Sequence, residues 1–305
     1  MFPVEVASME DSSSWERPGR FVAAEAGYEE CEWVIAGAPL EATVSYRAGT
    51  RWGPARIREA SHSLETYSPE LDRDLEELAV CDLGDVVLPL GNVGQSLARI
   101  EAALRRPVRD GKRFLVLGGE HLVTLAAVNA ALARYPDLVV VQFDAHTDLR
   151  DEYLGEPYSH ATVMRRVLDL VGPGRVWQLG VRSGLREEFA LAREATRAFP
   201  DVTHGARVLA GELAGPLRGV PLYLTVDVDV LDPAVAPGTG TPEPGGIGFG
   251  ELHQALLGLV RAGARVVAAD IVETAPPLDP SGRTEIVAAK LAREILLGFG
   301  RGEEV

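Results

Sequence analysis

The chain has only two cysteines in 305 residues, Cys31 and Cys81. They share no ligand spacing, and both sit in apolar, strand-like surroundings. A disulfide scaffold and a cysteine zinc site are therefore unsupported, and both thiols read as reduced core residues of a cytosolic protein. No apolar run approaches the roughly eighteen uninterrupted residues of a membrane span. The opening segment MFPVEVASMEDSSSWE has neither a basic n-region nor an apolar h-region, so secretion has no support from the residues. Basic charge is scarce as well: 30 Lys and Arg stand against 45 Asp and Glu, a net charge of −15. General nucleic-acid binding is disfavoured, whereas small cationic substrates or metal ions suit such a surface. Nucleotide signatures are missing, because no strand-bound GxGxxG and no GxxxxGK[ST] loop occurs, and GTGTPEPGG lacks the strand-turn-helix setting. No GxSxG nucleophile elbow occurs either. Without a Ser/Gly linker, internal repeat or low-complexity tract, a single domain is expected over residues 1–305. Within it, residues 1–30 form an irregular extension packed on the edge.

What the sequence does contain is a recurrence of short β-rich runs. They are WVIAG (33–37), LAVCDLG (78–84), FLVLG (114–118), LVVVQF (138–143), VWQLGV (176–181), ARVLA (206–210), PLYLTV (221–226) and ARVVAADIV (264–272). Several are apolar on both parities, as in parallel strands covered on two faces. Helical stretches are expected near 53–62, 94–108, 121–134, 160–170, 185–198, 248–261 and 284–298. Alternation of this kind points to a doubly wound α/β domain, with a closed eight-stranded barrel as the competing fold. The Pro- and Gly-rich segment 228–247 predicts a shaped surface loop.

Chemistry collects where these strands end. LVVVQF runs into Asp144, His146 and Asp148, whose alternate side chains face one way if the chain stays extended. PLYLTVDVDVLDP repeats the pattern with Asp227 and Asp229, two carboxylates that repel unless a cation lies between them. After FLVLGGEH, the turn at Gly118 and Gly119 brings His121 to the start of an apolar helix. Six carboxylate and imidazole ligands exceed the needs of a single zinc ion and suit two divalent ions, with Mn²⁺ as the leading choice. Two such ions, roughly 3.5–4 Å apart, share and deprotonate a water, which favours hydrolysis over redox chemistry.

On these blocks the chain resembles the ureohydrolase family, which includes arginases and agmatinases. GGEH (118–121), FDAHTD (143–148), VDVDVLDPAVAPGTGTPEPGG (226–246) and DIVETAPPLD (270–279) carry the match, with YRAGTRWGPARIR (46–58) before them. The resemblance implies an open three-layer α/β/α fold with a mainly parallel, eight-stranded sheet. It also implies two Mn²⁺ ions per subunit. His121, Asp144, Asp148 and Asp227 would surround one ion; His146, Asp144, Asp227 and Asp229 would surround the other. Asp148 would orient the bridging hydroxide that attacks the guanidinium carbon, Glu273 would bind the guanidinium, and His160 would shuttle a proton to the leaving amine. Cytoplasmic homotrimers or homohexamers are expected, without nucleic-acid or membrane partners.

The loop after DAHTD is LRDEYLGEPYS, where an arginase carries Asn, Ser and Thr. VWQLGVR is followed by SGLREE, without the acidic arrangement expected for an α-amino group. The chain is thus most similar to an agmatinase acting on agmatine or an agmatine-like polyamine and yielding urea and an amine such as putrescine. Asp151, Glu152 and Glu156 are candidates for the distal ammonium, with Arg150 expected to pair with a neighbouring acid. Arginase or guanidino-acid hydrolase activity is the alternative. More remote readings are a zinc deacetylase-like enzyme and a noncatalytic polyamine-binding protein. His62 and His253 read as structural, and His204 as an exposed turn residue.

Overall fold

A computed structural model of the chain describes residues 14–300. In chain order the elements are β1 (Trp15–Glu16), β2 (Trp33–Ala38), α1 (Gly53–Ser61), β3 (Tyr67–Ser68), β4 (Arg73–Asp74), β5 (Val80–Val86), α2 (Val93–Arg109), β6 (Arg113–Gly118), α3 (Val123–Leu132) and β7 (Val139–Phe143). They continue with α4 (Val163–Val171), β8 (Val176–Leu179), α5 (Arg186–Ala195), β9 (Arg197–Phe199), α6 (Val202–Leu213), β10 (Pro221–Asp227), α7 (Phe249–Arg261), β11 (Arg265–Val272) and α8 (Arg283–Phe299). Nine strands form one sheet in the order β1-β5-β2-β6-β11-β10-β7-β8-β9, while β3 and β4 pair separately. Only β1 runs antiparallel to its neighbour in the large sheet. The sheet is open, so the barrel alternative is excluded.

The two-sided apolar pattern has a direct structural meaning. Along β2, Trp33 and Ile35 enter one core, together with Ile57 of α1, Leu209 of α6, Leu252 of α7 and Leu291 of α8. Val34 and Ala36 point oppositely, toward Leu97 of α2, Val128 of α3 and Val167 of α4. Parallel strands buried on both faces need this composition, and each large side chain so buried contributes roughly 1.5–3 kcal/mol. A buried ion pair locks α1 to β5: Arg58 Nε lies 2.8 Å from Asp82 Oδ2 and its Nη1 2.5 Å from Asp85 Oδ1. Gly37 makes room for this pair, since a Cβ there would lie 1.7 Å from Asp85 Oδ1.

Several expectations change. ARVLA (206–210) is helical, within α6, and not a strand. Asp201 caps that helix by accepting from the His204 N–H at 2.9 Å, and Val202, Ala206, Leu209 and Leu213 are buried at helical spacing. The five-residue apolar window was too short to distinguish the two periods. The expected helix over 185–198 stops at Ala195, and Arg197–Phe199 pairs in parallel with β8. With one expected strand removed and β1 and β9 added, the sheet has nine strands and not eight. Of the expected irregular segment 1–30, residues 1–13 lie outside the described residues, while Trp15–Glu16 pairs with the β5 edge. His204 is exposed as expected, but in the first turn of α6 and not in a free turn.

Candidate active site

Strand order explains how distant motifs meet. β6, β11, β10 and β7 are consecutive in the sheet and mutually parallel. Their carboxyl ends therefore open side by side, the usual ligand position of an α/β sheet. They deliver His121, Glu273, the pair Asp227 and Asp229, and the trio Asp144, His146 and Asp148, all of which except Asp144 line a cavity of about 260 Å³. Asp144 is fully buried beneath them.

Two clusters share Asp144. Its Oδ2 lies 3.0 Å from His121 Nδ1, and its Oδ1 lies 3.6 Å from His146 Nδ1. On the first side, His121 Nδ1 is also 3.0 Å from Asp148 Oδ2 and 3.4 Å from Asp227 Oδ2. On the second, His146 Nδ1 is 2.9 Å from Asp229 Oδ2. His121, Asp144 and Asp148, and separately Asp144, His146 and Asp229, present ligand atoms close enough to hold one ion each. Asp144 thus has the geometry of a bridging carboxylate.

The residues present fit a pair of divalent ions. His121 Nδ1 and Asp229 Oδ2 are buried without a hydrogen-bond partner among the described residues, despite their short distances to neighbouring ligand atoms. These atoms converge on common points and are not aimed at one another, as lone pairs around a cation are. His121 Nε2 meets Thr225 Oγ1 at 3.1 Å, which turns Nδ1 into the cluster. Asp144 is held by Gln142 Nε2, donating at 2.7 Å, and by the His146 N–H at 2.6 Å. Asp229 Oδ1 accepts from the Ala145 N–H at 3.0 Å, and Asp227 Oδ1 accepts from the Asp229 N–H at 2.8 Å. The remaining carboxylate oxygens face the clusters.

Electrostatics point the same way. Burial, then the Asp144 charge, pushes Asp148 up to about 7. Asp227 rises well above the carboxylate range through burial and the charges of Asp229 and Asp144. For His146, burial opposes the cation, but Asp229 and Asp144 overcome it and push the imidazole up to about 12. So many buried carboxylates require compensating positive charge, which divalent ions supply.

Two ligands or neighbours have unusual backbones. Asp148 has φ 53° and Glu273 φ 64°, both left-handed conformations that non-glycine residues rarely adopt. Glu273 is held by its N–H donating to Gly119 O at 2.9 Å and by its Oε1 accepting from the His121 N–H at 2.7 Å. Burial, reinforced by the Glu120 charge, pushes its carboxyl up to about 8. Gly119 is required for this close packing, because a Cβ there would lie 2.0 Å from Leu40 O. Glu188, near the start of α5, ties down both flanks of Asp148. Its Oε1 accepts from Thr147 Oγ1 at 2.8 Å and from the Leu149 N–H at 3.1 Å.

His160 lines the same cavity. Burial, followed by the nearby histidines and Arg150, lowers its imidazole to about 4, against a contact to the Thr43 backbone. Tyr153 packs edge-on to its ring at 5.6 Å. Arg150 also lines the cavity, with Nε 3.4 Å from Glu188 Oε2 and its guanidinium 4.8 Å from the Tyr153 ring centroid. It pairs with an acid contributed by α5, not with the acids next to it in sequence. Asp151, Glu152 and Glu156 are exposed and outside the cavity lining; Asp151 pairs with Arg166 of α4. The hairpin turn at Leu154 and Gly155, both with positive φ, projects them away from the floor. His253 is buried against Glu294 at 3.2 Å, and exposed His62 contacts Arg20 O at 2.9 Å, both in structural settings.

The site uses residues that no motif marks, namely Thr43, Ser45, Gln142, Glu188 and Thr225. Glu120 stands in the GGEH block, but its partner Thr43 lies far away in sequence. Glu188 occupies the third position of α5 with the Leu185 N–H donating to it at 2.7 Å, a helix-start signal that said nothing of Asp148.

An open α/β/α sandwich with paired carboxylate and imidazole clusters at central strand ends belongs to the metal-ligating hydrolase class of α/β proteins. More particularly, the chain belongs to the arginase family, whose model matches residues 31–298. It is 48% identical over 281 residues to the agmatinase of Bacillus anthracis, covering 92% of this chain and 96% of that protein. It is 37% identical to the N(1)-aminopropylagmatine ureohydrolase of Thermococcus kodakarensis, over 86% of this chain and 89% of that one. Among solved structures, the agmatine ureohydrolase of Thermoplasma volcanium superposes with a TM-score of 0.82 at 35% identity, covering 92% of this chain and 94% of that chain. The resemblance read from GGEH, DAHTD and DVDVLDP is borne out, as are the arginase-like α/β fold and membership of an enzyme family that includes agmatinases.

Proposed function

We propose that the chain hydrolyses the guanidinium group of agmatine, or of an agmatine-like polyamine, to urea and an amine such as putrescine, using two Mn²⁺ ions. The observation that carries this reading is the position of Glu273, a buried carboxylate beside the twin clusters, lining the same cavity as both. His121, Asp144, Asp148 and Asp227 would hold one ion, and His146, Asp144, Asp227 and Asp229 the other. When bound, such ions polarise the reacting group and make a water deprotonable near neutral pH. Glu273 accepts hydrogen bonds from the planar guanidinium and orients its carbon toward the floor. Asp148 accepts a hydrogen bond from the attacking water and directs its lone pair. His160 carries a proton to the nitrogen whose bond to carbon breaks, releasing the amine. A cytoplasmic location and a homotrimeric or homohexameric assembly belong to the same reading and rest on the family resemblance.

A guanidino acid is the second reading, favoured by Arg150, a cation in the cavity wall that suits a substrate carboxylate. Urea release with Mn²⁺ from agmatine, aminopropylagmatine, arginine and guanidinobutyrate at equal concentration separates these possibilities. We expect the agmatine compounds to dominate. A dominant guanidinobutyrate rate would transfer the assignment to the acid, and urea from none of them would remove the hydrolase proposal.

A further inference from the structure

Glu120 is fully buried and adjoins His121, but its carboxylate faces away from the metal clusters, toward the loop that follows β2. Its Oε2 accepts the Ala42 N–H at 2.9 Å and the Thr43 N–H at 2.8 Å. Its Oε1 accepts from Thr43 Oγ1 at 2.9 Å. A threonine hydroxyl has one hydrogen and two lone pairs. Because that hydrogen is directed to Glu120, Thr43 Oγ1 can only accept from its other neighbours. Those are the His160 backbone N–H at 3.1 Å and the His160 ring nitrogen Nδ1 at 3.3 Å. Two N–H groups on two lone pairs satisfy the oxygen, whereas an unprotonated Nδ1 would set lone pair against lone pair. Nδ1 therefore carries hydrogen, and the neutral ring keeps its lone pair on Nε2. That atom reaches Ser45 Oγ at 3.4 Å, and Ser45 lines the cavity.

We propose that Glu120, acting through Thr43, fixes the tautomer of His160, making Nε2 the atom that takes up and hands on the reaction's proton. Glu120 and Thr43 are positioning residues in this arrangement, since neither lines the cavity. A proton from the attacking water adds to Nε2 and gives the imidazolium with hydrogen on both nitrogens. As the carbon–nitrogen bond breaks, the electron pair goes to the leaving amine nitrogen, which takes the Nε2 proton. The ring returns to its Nδ1–H form, so the cycle conserves protons and needs no reorientation of the imidazole. The kinetic part of this proposal rests on the hydrolase reading above; the tautomer does not.

Glu120→Gln is the sharpest substitution because it reverses one hydrogen bond while preserving shape. The amide oxygen still accepts the Ala42 and Thr43 N–H groups, but the amide nitrogen donates to Thr43 Oγ1. The Thr43 hydrogen then turns to Nδ1, and the ring hydrogen moves to Nε2. We expect turnover for urea release to fall about 100-fold, the usual scale of proton-transfer assistance, with KM within about threefold and metal content unchanged. Thr43→Val should fall comparably, while Thr43→Ser, which keeps the hydroxyl, should stay within about fivefold of the parent enzyme. Neutron diffraction from deuterium-exchanged crystals of the metal-loaded protein reads the tautomer directly. Deuterium on Nδ1 in the parent protein and on Nε2 in Glu120→Gln supports the proposal. Deuterium on Nε2 alone in the parent protein overturns it, as does unchanged turnover in both Glu120→Gln and Thr43→Val. Should Glu120→Gln fail to fold, the Val and Ser pair and the parent neutron map decide. If the parent protein releases urea from no guanidino compound, the hydrolase reading fails and the neutron map alone decides this inference.

Discussion

Residues 144–148 and 149–160 are continuous in sequence but belong to different kinds of structure. The first directly follow β7, which ends at Phe143, and are held by Gln142 Nε2 donating to Asp144 and by Asp229 accepting the Ala145 N–H. The second start and finish buried, at Leu149 and Ser159, around an exposed hairpin turn closed by Tyr153 and Glu156, and their polar groups contact α4, α5 and the loop after β2. In the floor, Asp144 is set by groups within two residues of it, Gln142 Nε2 and the His146 N–H, while Asp148, beyond the strand with φ 53°, is flanked by the clamp from Glu188. At the rim, direction depends on which remote helix provides the partner. Charge of the same sign therefore has opposite fates: Asp144 and Asp148 are brought together, whereas Asp151 is drawn outward by Arg166.

The largest effect should come from breaking the floor at its shared residue. In Asp144→Asn, one oxygen that faces each cluster cannot be kept for both. Loss of several kcal/mol of metal-assisted stabilisation corresponds to on the order of 10³-fold or more in urea-release rate. Metal analysis should also show less than the parent stoichiometry. Stripping the parent protein with a chelator should lower its Tm, since an ion present at about a hundred times its Kd stabilises by roughly 2.7 kcal/mol. A Tm indifferent to chelation, with Asp144→Asn fully active, would remove the comparison's premise.

Next in size is Glu273→Gln, which distinguishes a residue that binds substrate from one that binds metal. The amide still accepts the His121 N–H, so the floor should remain intact and metal content unchanged. Turnover should fall on the order of 10²–10³-fold because the cationic guanidinium loses a charged acceptor. Loss of metal in this variant would place Glu273 with the floor ligands.

How much of this was legible follows the same division. The strand ends, the glycine turn before His121, the pair Asp227 and Asp229 and the trio Asp144, His146 and Asp148 could be read because each lies within a few residues of the strand that delivers it. The shared use of Asp144 could not be read from spacing, because it depends on the β6-β11-β10-β7 order, which periodicity does not encode. ARVLA misled for a related reason: five residues fit both periods, and only the Asp201 cap and the buried row from Val202 to Leu213 decide for the helix. Glu188 was visible in SGLREE, but its tie to Thr147 and Leu149 joins α5 to the end of β7 and has no local signature.

Glu188→Gln tests whether the rim supports the floor. The substitution leaves one oxygen for the Thr147 hydroxyl and the Leu149 N–H and frees Arg150 from its acid. Disturbing a group that orients a ligand typically costs about 10–100-fold in metal affinity. We expect roughly tenfold here, measured by calorimetric metal titration, with a smaller loss of turnover at saturating metal. Unchanged affinity would mean that the left-handed backbone at Asp148 holds without this clamp.

The smallest effect should come from the acids that looked best placed to meet a distal ammonium. Asp151, Glu152 and Glu156 are exposed, and the Asp151 side chain retains 74% of its accessible surface even while paired with Arg166. Ionic strength near physiological screens exposed charges beyond about 8 Å, and such surface pairs are worth only about 0–1 kcal/mol. The triple change Asp151→Asn, Glu152→Gln and Glu156→Gln should therefore move KM for agmatine by less than about threefold and leave turnover unaltered. A KM raised more than about tenfold, and restored by low salt, would show that the hairpin folds inward over bound substrate and that its acids reach the ammonium. The sharp separation of floor from rim would then hold only for the free protein. Under the opposite result, discrimination at the far end falls to Arg150, Glu188 and the polar cavity wall at Ser183 and Thr241, which line the same space as Glu273.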